Sequence, residues 1–282
     1  MRIHSPVASI GRLEEDIVHP NRAQRPDRFK ILGFPIDLVD YRTVFQQINA
    51  WRAQGVCRFI ILATAADIQL AQTDGLGAAA HRSGLNLPDG IAVVIAARLM
   101  GHRPSGRVAG PDLMLRLCDW GQEYGYRHFF YGSTNDVVER LIANLTRRFA
   151  HMEVAGFLCP PFRDLTPQED AVAVEKINAC RPDIVWVGLG GMRQICWMSD
   201  HLGRIRAAAM IGVGAAFNFH SGLVRRAPAW LRRIGLEWSY RMLTEPRKII
   251  PRTRHTLAFC AKAIAQACMM RLSARHLQRT WP

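Results

Sequence analysis

Four short, continuous apolar runs most constrain this chain: Arg58–Thr64, Arg127–Ser133, Asp183–Gly188 and Ala209–Val213. Their residues do not alternate between apolar and polar, so each run reads as a strand covered on both faces. Stretches of helical character separate them, at Tyr41–Gln54, Ala66–His81, Pro111–Tyr124, Asn135–Phe149, Pro167–Ala179 and Arg193–Arg206. Two of these begin with capping signals, Ser133-Thr134-Asn135 and Thr166-Pro167. Strand–helix alternation of this kind predicts an α/β fold, Rossmann-like, with a mostly parallel sheet and helices on both faces. At 282 residues and 49% hydrophobic, the chain can bury a large core without staples.

Charge divides the chain unevenly. From Leu223 to Pro282 there are thirteen Lys or Arg and two acids, Glu237 and Glu245, while the rest is near balance. The reading is a flexible lead-in over 1–28, an α/β core over 29–222 and a basic helical C-terminal appendage over 223–282. Such a tail calls for an anionic partner: a membrane surface, a nucleic acid or a ligand's phosphates. Its tryptophans and leucines suit anionic lipid. Beyond Arg252, Leu257, Ala261, Ile264 and Cys268 fall near one face of a helix, with Lys262 and Arg271 off it. That face either lies on lipid or packs on the core. No nucleic-acid module is recognisable.

The seven cysteines are scattered without a C-x-x-C pair, which fits reduced thiols. With no signal-like N-terminus and no run long enough to span a bilayer, the expectation is a cytoplasmic protein.

Three features could carry chemistry. Leu87-Pro88-Asp89-Gly90 puts a carboxylate on a turn, a structural position in many proteins and a functional one at the carboxyl edge of a parallel sheet. Gly188-Leu189-Gly190-Gly191 follows a strand and precedes a helix, where backbone amides can approach a phosphate. Arg193 stands where a dinucleotide fingerprint needs a further glycine or alanine, so a nicotinamide cofactor is disfavoured. Tight turning is the alternative role for these glycines. No D-x-D, Walker loop, G-x-S-x-G or H-E-x-x-H occurs. A leaving diphosphate would therefore depend on arginines rather than a carboxylate-held metal.

Further pieces stand in order along the chain: Ile31-Leu32-Gly33 with Ile36-Asp37; Pro88-Asp89-Gly90; Arg107-Val108-Ala109-Gly110 with Asp112-Leu113; and Phe129-Phe130-Tyr131-Gly132. The glycine loop with Gln194 and Trp197 follows, then Gly212-Val213-Gly214 with Phe217 and Gly222. Arg226-Ala227-Pro228, Gly235-Leu236-Glu237-Trp238, Arg241 and Glu245-Pro246-Arg247 complete the set. Taken together and in this order, they resemble the WecB/TagA/CpsF glycosyltransferases (glycosyltransferase family 26). The resemblance implies inverting transfer of a sugar, often N-acetylmannosamine, from a UDP-sugar donor to a polyprenyl-diphosphate-linked glycan acceptor. It implies no cofactor and no metal, and a peripheral position on the inner face of the bacterial cell membrane. Asp89 would be the general base. Thr64, Arg107, Gly132, Gly188, Gly190 and Gln194 would contact substrates, and Arg226, Arg241 and Arg247 would close over the site and neutralise UDP.

The chain departs from the family pattern at Met192-Arg193-Gln194-Ile195, where P-K-Q-E is usual, at Thr64-Ala65-Ala66, which lacks the asparagine of T-x-N, and at Asn218, usually Asp. The alternatives are a catalytically impaired, membrane-associated scaffold and a basic nucleic-acid-binding protein. Oligomeric state stays open, a homo-oligomer included.

Overall fold

The computed structural model describes residues 26–72 and 76–280. Most of the expected lead-in lies outside them. Six strands form one parallel sheet in the order β4-β3-β8-β7-β5-β6. They are β3 (Arg58–Ala63), β4 (Leu85–Pro88), β5 (Arg127–Gly132), β6 (Glu153–Leu158), β7 (Ile184–Gly188) and β8 (Ala209–Gly212). A separate antiparallel hairpin, β1 (Arg28–Ile31) and β2 (Phe34–Asp37), packs beside β4.

Each inner strand sends alternate side chains to opposite layers, and both layers are apolar. Ile60, Phe130, Trp186 and Ile211 face α1 (Tyr41–Ala53), α5 (Gly110–Trp120), α6 (Asn135–Arg148) and α9 (Ala216–His220). Phe59, Phe129, Val185 and Met210 face the layer built from α2 (Ala65–Leu70), α3 (Leu76–Arg82), α4 (Ile91–Leu99), α7 (Pro167–Ala179) and α8 (Gly191–Asp200). Burying one such side chain stabilises the fold by roughly 1.5–3 kcal/mol.

The four runs read as strands are strands, and they are the centre of the sheet. The hairpin, β4 and β6 escaped the pattern because they are short, contain Pro or Gly, or lie at an edge. The helix expected over Ala66–His81 is two helices, α2 and α3, with Asp74 and Gly75 in the sequence between them. The one expected over Arg193–Arg206 is confined to α8, Gly191–Asp200.

The C-terminal segment contains α10 (Ala229–Arg233), α11 (Glu237–Thr244) and the long α12 (Pro246–Thr280). α12 packs against α2 and α4 and buries Phe259, Ala263 and Ala267 in the second core layer. Gln266 accepts from the Leu32 amide at 2.9 Å, fixing α12 to the hairpin turn. The stripe Leu257, Ala261, Ile264, Cys268 points outward instead, with Leu257 65% and Ile264 52% exposed.

Fully buried Asp37 ties the hairpin to the sheet. It accepts from Arg28 Nε and Nη2 at 2.7 and 2.8 Å and from the Asn86 amide of β4 at 2.6 Å. The carboxylate thus satisfies an amide of a short edge strand. Asp37→Asn removes the charge and puts an amide NH2 against these donors. We expect a loss of about 2 kcal/mol in chemical denaturation, with the native spectrum retained.

Candidate active site

Because every strand of the sheet is parallel, the loops after β3, β4, β5, β7 and β8 gather at one edge. Thr64 follows β3 and caps α2. Its hydroxyl donates to Asp67 Oδ2 at 2.7 Å, and the Asp67 amide donates back to Thr64 Oγ1 at 3.3 Å. Asp89 follows β4, its amide donating to Ala63 O at 3.1 Å. Gly90 backs onto Thr64: a Cβ there would lie 3.8 Å from Thr64 Cα. The polar ends of two adjacent strands are therefore side by side.

The loop from Arg107 to Gly110 crosses above the sheet. A Cβ on Gly110 would fall 2.6 Å from Leu62 Cδ1, so the loop lies directly on the β3 side chains and a larger residue there would have to displace Leu62. Tyr41 receives the Ala109 amide at 3.0 Å and fixes the loop from the other side.

Gly132 and Gly188 are paired neighbours at the ends of β5 and β7. With φ of +111° and its virtual Cβ 2.8 Å from Gly188 C, Gly132 admits no side chain. Gly190, also at positive φ, precedes the first turn of α8. Gln194 Oε1 accepts from the Gly190 amide at 3.3 Å, and its side chain lies against Gly212 and Gly214. Ile195, at the position of the family's glutamate, is buried in the core.

The C-terminal segment reaches the same edge. Gly235 packs on Ile91, the first residue of α4, its virtual Cβ 2.8 Å from Ile91 Cγ1. That contact delivers Glu237 to Arg107, whose Nη2 donates to Glu237 Oε2 at 2.6 Å. Arg226 Nε donates to Glu237 Oε1 at 3.0 Å. Its other two nitrogens form a fork on Asp112 at 2.6 and 2.8 Å, joined by Arg232 Nη1 at 3.2 Å. Arg241 pairs with Glu245 and lies over the Phe219 ring, and Arg247 is exposed.

The charges around Asp89 set its basicity. Although the residue keeps some solvent contact, its carboxyl is enclosed by protein, and desolvation is the largest influence, pushing it up to about 6. Arg107 and Arg226 pull it down, and Glu237 and Asp67 push it further up. A carboxylate held near 6 is ionised at neutral pH and still basic enough to take a proton.

Arg107 and Arg226 thus share one ionic cluster through Glu237, with Asp89 in its field, while Gly132, Gly188, Gly190 and Gln194 share the glycine-lined edge beside it. Four participants were not singled out as site residues from the sequence: Glu237, Asp112, Asp67 and Arg252. Glu237 carried a usable signal, being one of two acids in a strongly basic segment. Arg252 approaches the glycine loop, since a Cβ on Gly191 would lie 2.8 Å from its Nη2. The free amides opening α8, with this guanidinium beside them, form a setting suited to an anion. Among the described residues no group of three or more His, Cys, Asp or Glu is arranged to hold a metal ion.

Three curated relatives share one name, N-acetylglucosaminyldiphosphoundecaprenol N-acetyl-beta-D-mannosaminyltransferase. That of Bacillus spizizenii is 36% identical over 162 residues, 57% of this chain and 61% of the relative. The Bacillus subtilis protein is 32% identical over 164 residues, covering 58% and 62%. The Staphylococcus aureus protein is 30% identical over 164 residues, covering 57% and 61%. The match thus spans about three fifths of each relative's length. A sequence model of the glycosyl transferase WecG/TagA/CpsF family matches residues 29–273, nearly the whole described structure, and the chain belongs to that family.

Proposed function

We propose that the chain is an inverting glycosyltransferase moving a sugar from a UDP-sugar to a polyprenyl-diphosphate-linked glycan, with Asp89 as general base. The observation that carries this reading is a single carboxylate of raised pKa at the carboxyl edge of the sheet, flanked by an arginine cluster and a glycine loop. N-acetylmannosamine is the transferred sugar and N-acetylglucosamine the acceptor's sugar that the relatives' names favour.

In this mechanism Asp89 takes the proton of the acceptor hydroxyl as its oxygen attacks the anomeric carbon. The bond to the UDP oxygen breaks on the opposite face, and configuration inverts. Negative charge then grows on the diphosphate, which the α8 amides and Arg252 would receive. Arg241 and Arg247 add cationic charge from the C-terminal segment, and Arg226, engaged by Asp112 and Glu237, anchors that segment. No divalent ion takes part in this scheme.

The acceptor's lipid would bring the enzyme to a membrane surface. Trp230, Ile234, Trp238, Leu243 and Ile250 are exposed, interleaved with exposed Arg225, Arg233 and Arg247. Each such cation near anionic lipid adds roughly 1 kcal/mol of attraction. Among the described residues no helix is long and apolar enough to cross a membrane.

The test is UDP release from a panel of UDP-sugars, with a short-chain polyprenyl-diphosphate glycan as acceptor, with and without EDTA. We expect acceptor-dependent release from UDP-N-acetylmannosamine that EDTA leaves within about twofold. Release abolished by EDTA and restored by a divalent ion would overturn the metal-free scheme. No release from any donor would overturn the transferase reading.

A further inference from the structure

Glu237 is a carboxylate that the transfer chemistry alone does not require. It opens α11 and is buried, at 9% exposure, in a segment otherwise rich in cations. Its oxygens are divided, one receiving Arg107 and the other Arg226. Arg226 already has its fork on Asp112. Arg107, by contrast, has Glu237 as its ion-pair partner among the described residues.

Arg107 and Asp89 are close enough to act on each other, yet no ion pair joins them. A guanidinium left free beside a carboxylate closes onto it as a two-bond fork. Closure here would make Asp89 a poor base and cover the oxygen that must meet the acceptor hydroxyl. Resting on Asp89 as the base, we propose that Glu237 is a positioning residue: it anchors Arg107 beside Asp89 and prevents that fork from closing.

Every charge facing Asp89 enters the expected pH dependence. Asp67 comes from α2, Arg107 from the loop before α5, and Glu237 and Arg226 from the C-terminal segment; the Tyr41 hydroxyl of α1 is also near. Neutralising Glu237 removes one repulsion and releases Arg107, and both changes lower the Asp89 pKa. Transfer needs the ionised base, so the acid limb of the rate profile moves to lower pH. The plateau drops because a weaker base takes the proton less readily. A Glu237 acting only through its own repulsion would move the limb equally in the wild-type and Arg107→Gln backgrounds, whereas a Glu237 that holds Arg107 off Asp89 moves it further when Arg107 is present.

The experiment uses the full chain, UDP-N-acetylmannosamine and a short-chain polyprenyl-diphosphate N-acetylglucosamine acceptor, measuring kcat/KM against pH. The wild-type limb is expected near 6. In Glu237→Gln it should fall by about one pH unit or more, with a plateau several-fold lower. Glu237→Asp retains the charge and should bring the limb back toward the wild-type position. An unmoved limb in a folded Glu237→Gln protein overturns the proposal. Where that variant does not fold, Arg107→Gln reads the same coupling: its limb should rise above the wild-type value, and an unmoved limb overturns the proposal equally. Asp89→Asn in the same assay separates the two readings. Near-wild-type turnover there overturns both; lost turnover with an unmoved Glu237→Gln limb overturns the Glu237 role alone.

Discussion

Asp89→Asn lowers kcat by about 10²–10⁴-fold, the usual share of a general base, and leaves UDP affinity within a few-fold. Asparagine keeps the shape of the side chain and leaves the backbone bond to Ala63 in place, so the turn survives. Its amide is too weakly basic to take a proton, so the acceptor hydroxyl keeps its proton until late in the reaction. Stability supplies a second readout. The Asp89 pKa is raised on folding, so its ionised form is disfavoured in the native state, and this penalty grows as pH rises from the ordinary value toward about 6. Above that pH the penalty is fully present in the wild type and absent in the asparagine variant. The variant should therefore melt no lower than wild type at pH 8, while its activity is gone. A variant that transfers at near-wild-type rate would remove Asp89 from the mechanism. One that melts well below wild type would show the turn to be structural.

The centre of the sheet was legible because a strand covered on both faces has to be apolar throughout. Phe59, Phe130, Trp186 and Met210 announce that in one dimension. The hairpin was not, because its place in the fold rests on one carboxylate meeting Arg28 within the hairpin and the Asn86 amide 49 positions away. At the site, Asp89 and the glycine loop were readable because turns and strand ends leave local marks. Pairings such as Arg107 with Glu237 and Arg226 with Asp112 join residues more than 100 positions apart, and no spacing encodes them. Asp112 and Glu237 look like ordinary first-turn acids at helix N-termini until the fold brings guanidinium groups to them.

α12 shows how periodicity can identify a face without saying what covers it. Its most apolar stripe, from Leu257 to Cys268, points outward, and the face that packs on α2 and α4 is Phe259 with small Ala263 and Ala267. Small side chains bring helices close, so the inner face is the less hydrophobic of the two. Adjacent substitutions should then give opposite results. Phe259→Ala empties a fully buried site and should cost about 3–5 kcal/mol in chemical denaturation, because the layer cannot collapse to fill the cavity. Leu257→Glu with Ile264→Glu alters exposed positions and should change stability by only about 0.5 kcal/mol per site. If the outward stripe rests on lipid together with the arginine-rich surface around Trp230 and Trp238, the glutamate pair should remove most co-sedimentation with anionic liposomes. Both effects oppose binding: two apolar groups are lost and two negative charges are added near an anionic surface. Undiminished co-sedimentation would confine lipid contact to the shorter helices α10 and α11. The outer face of α12 would then be free for some other role.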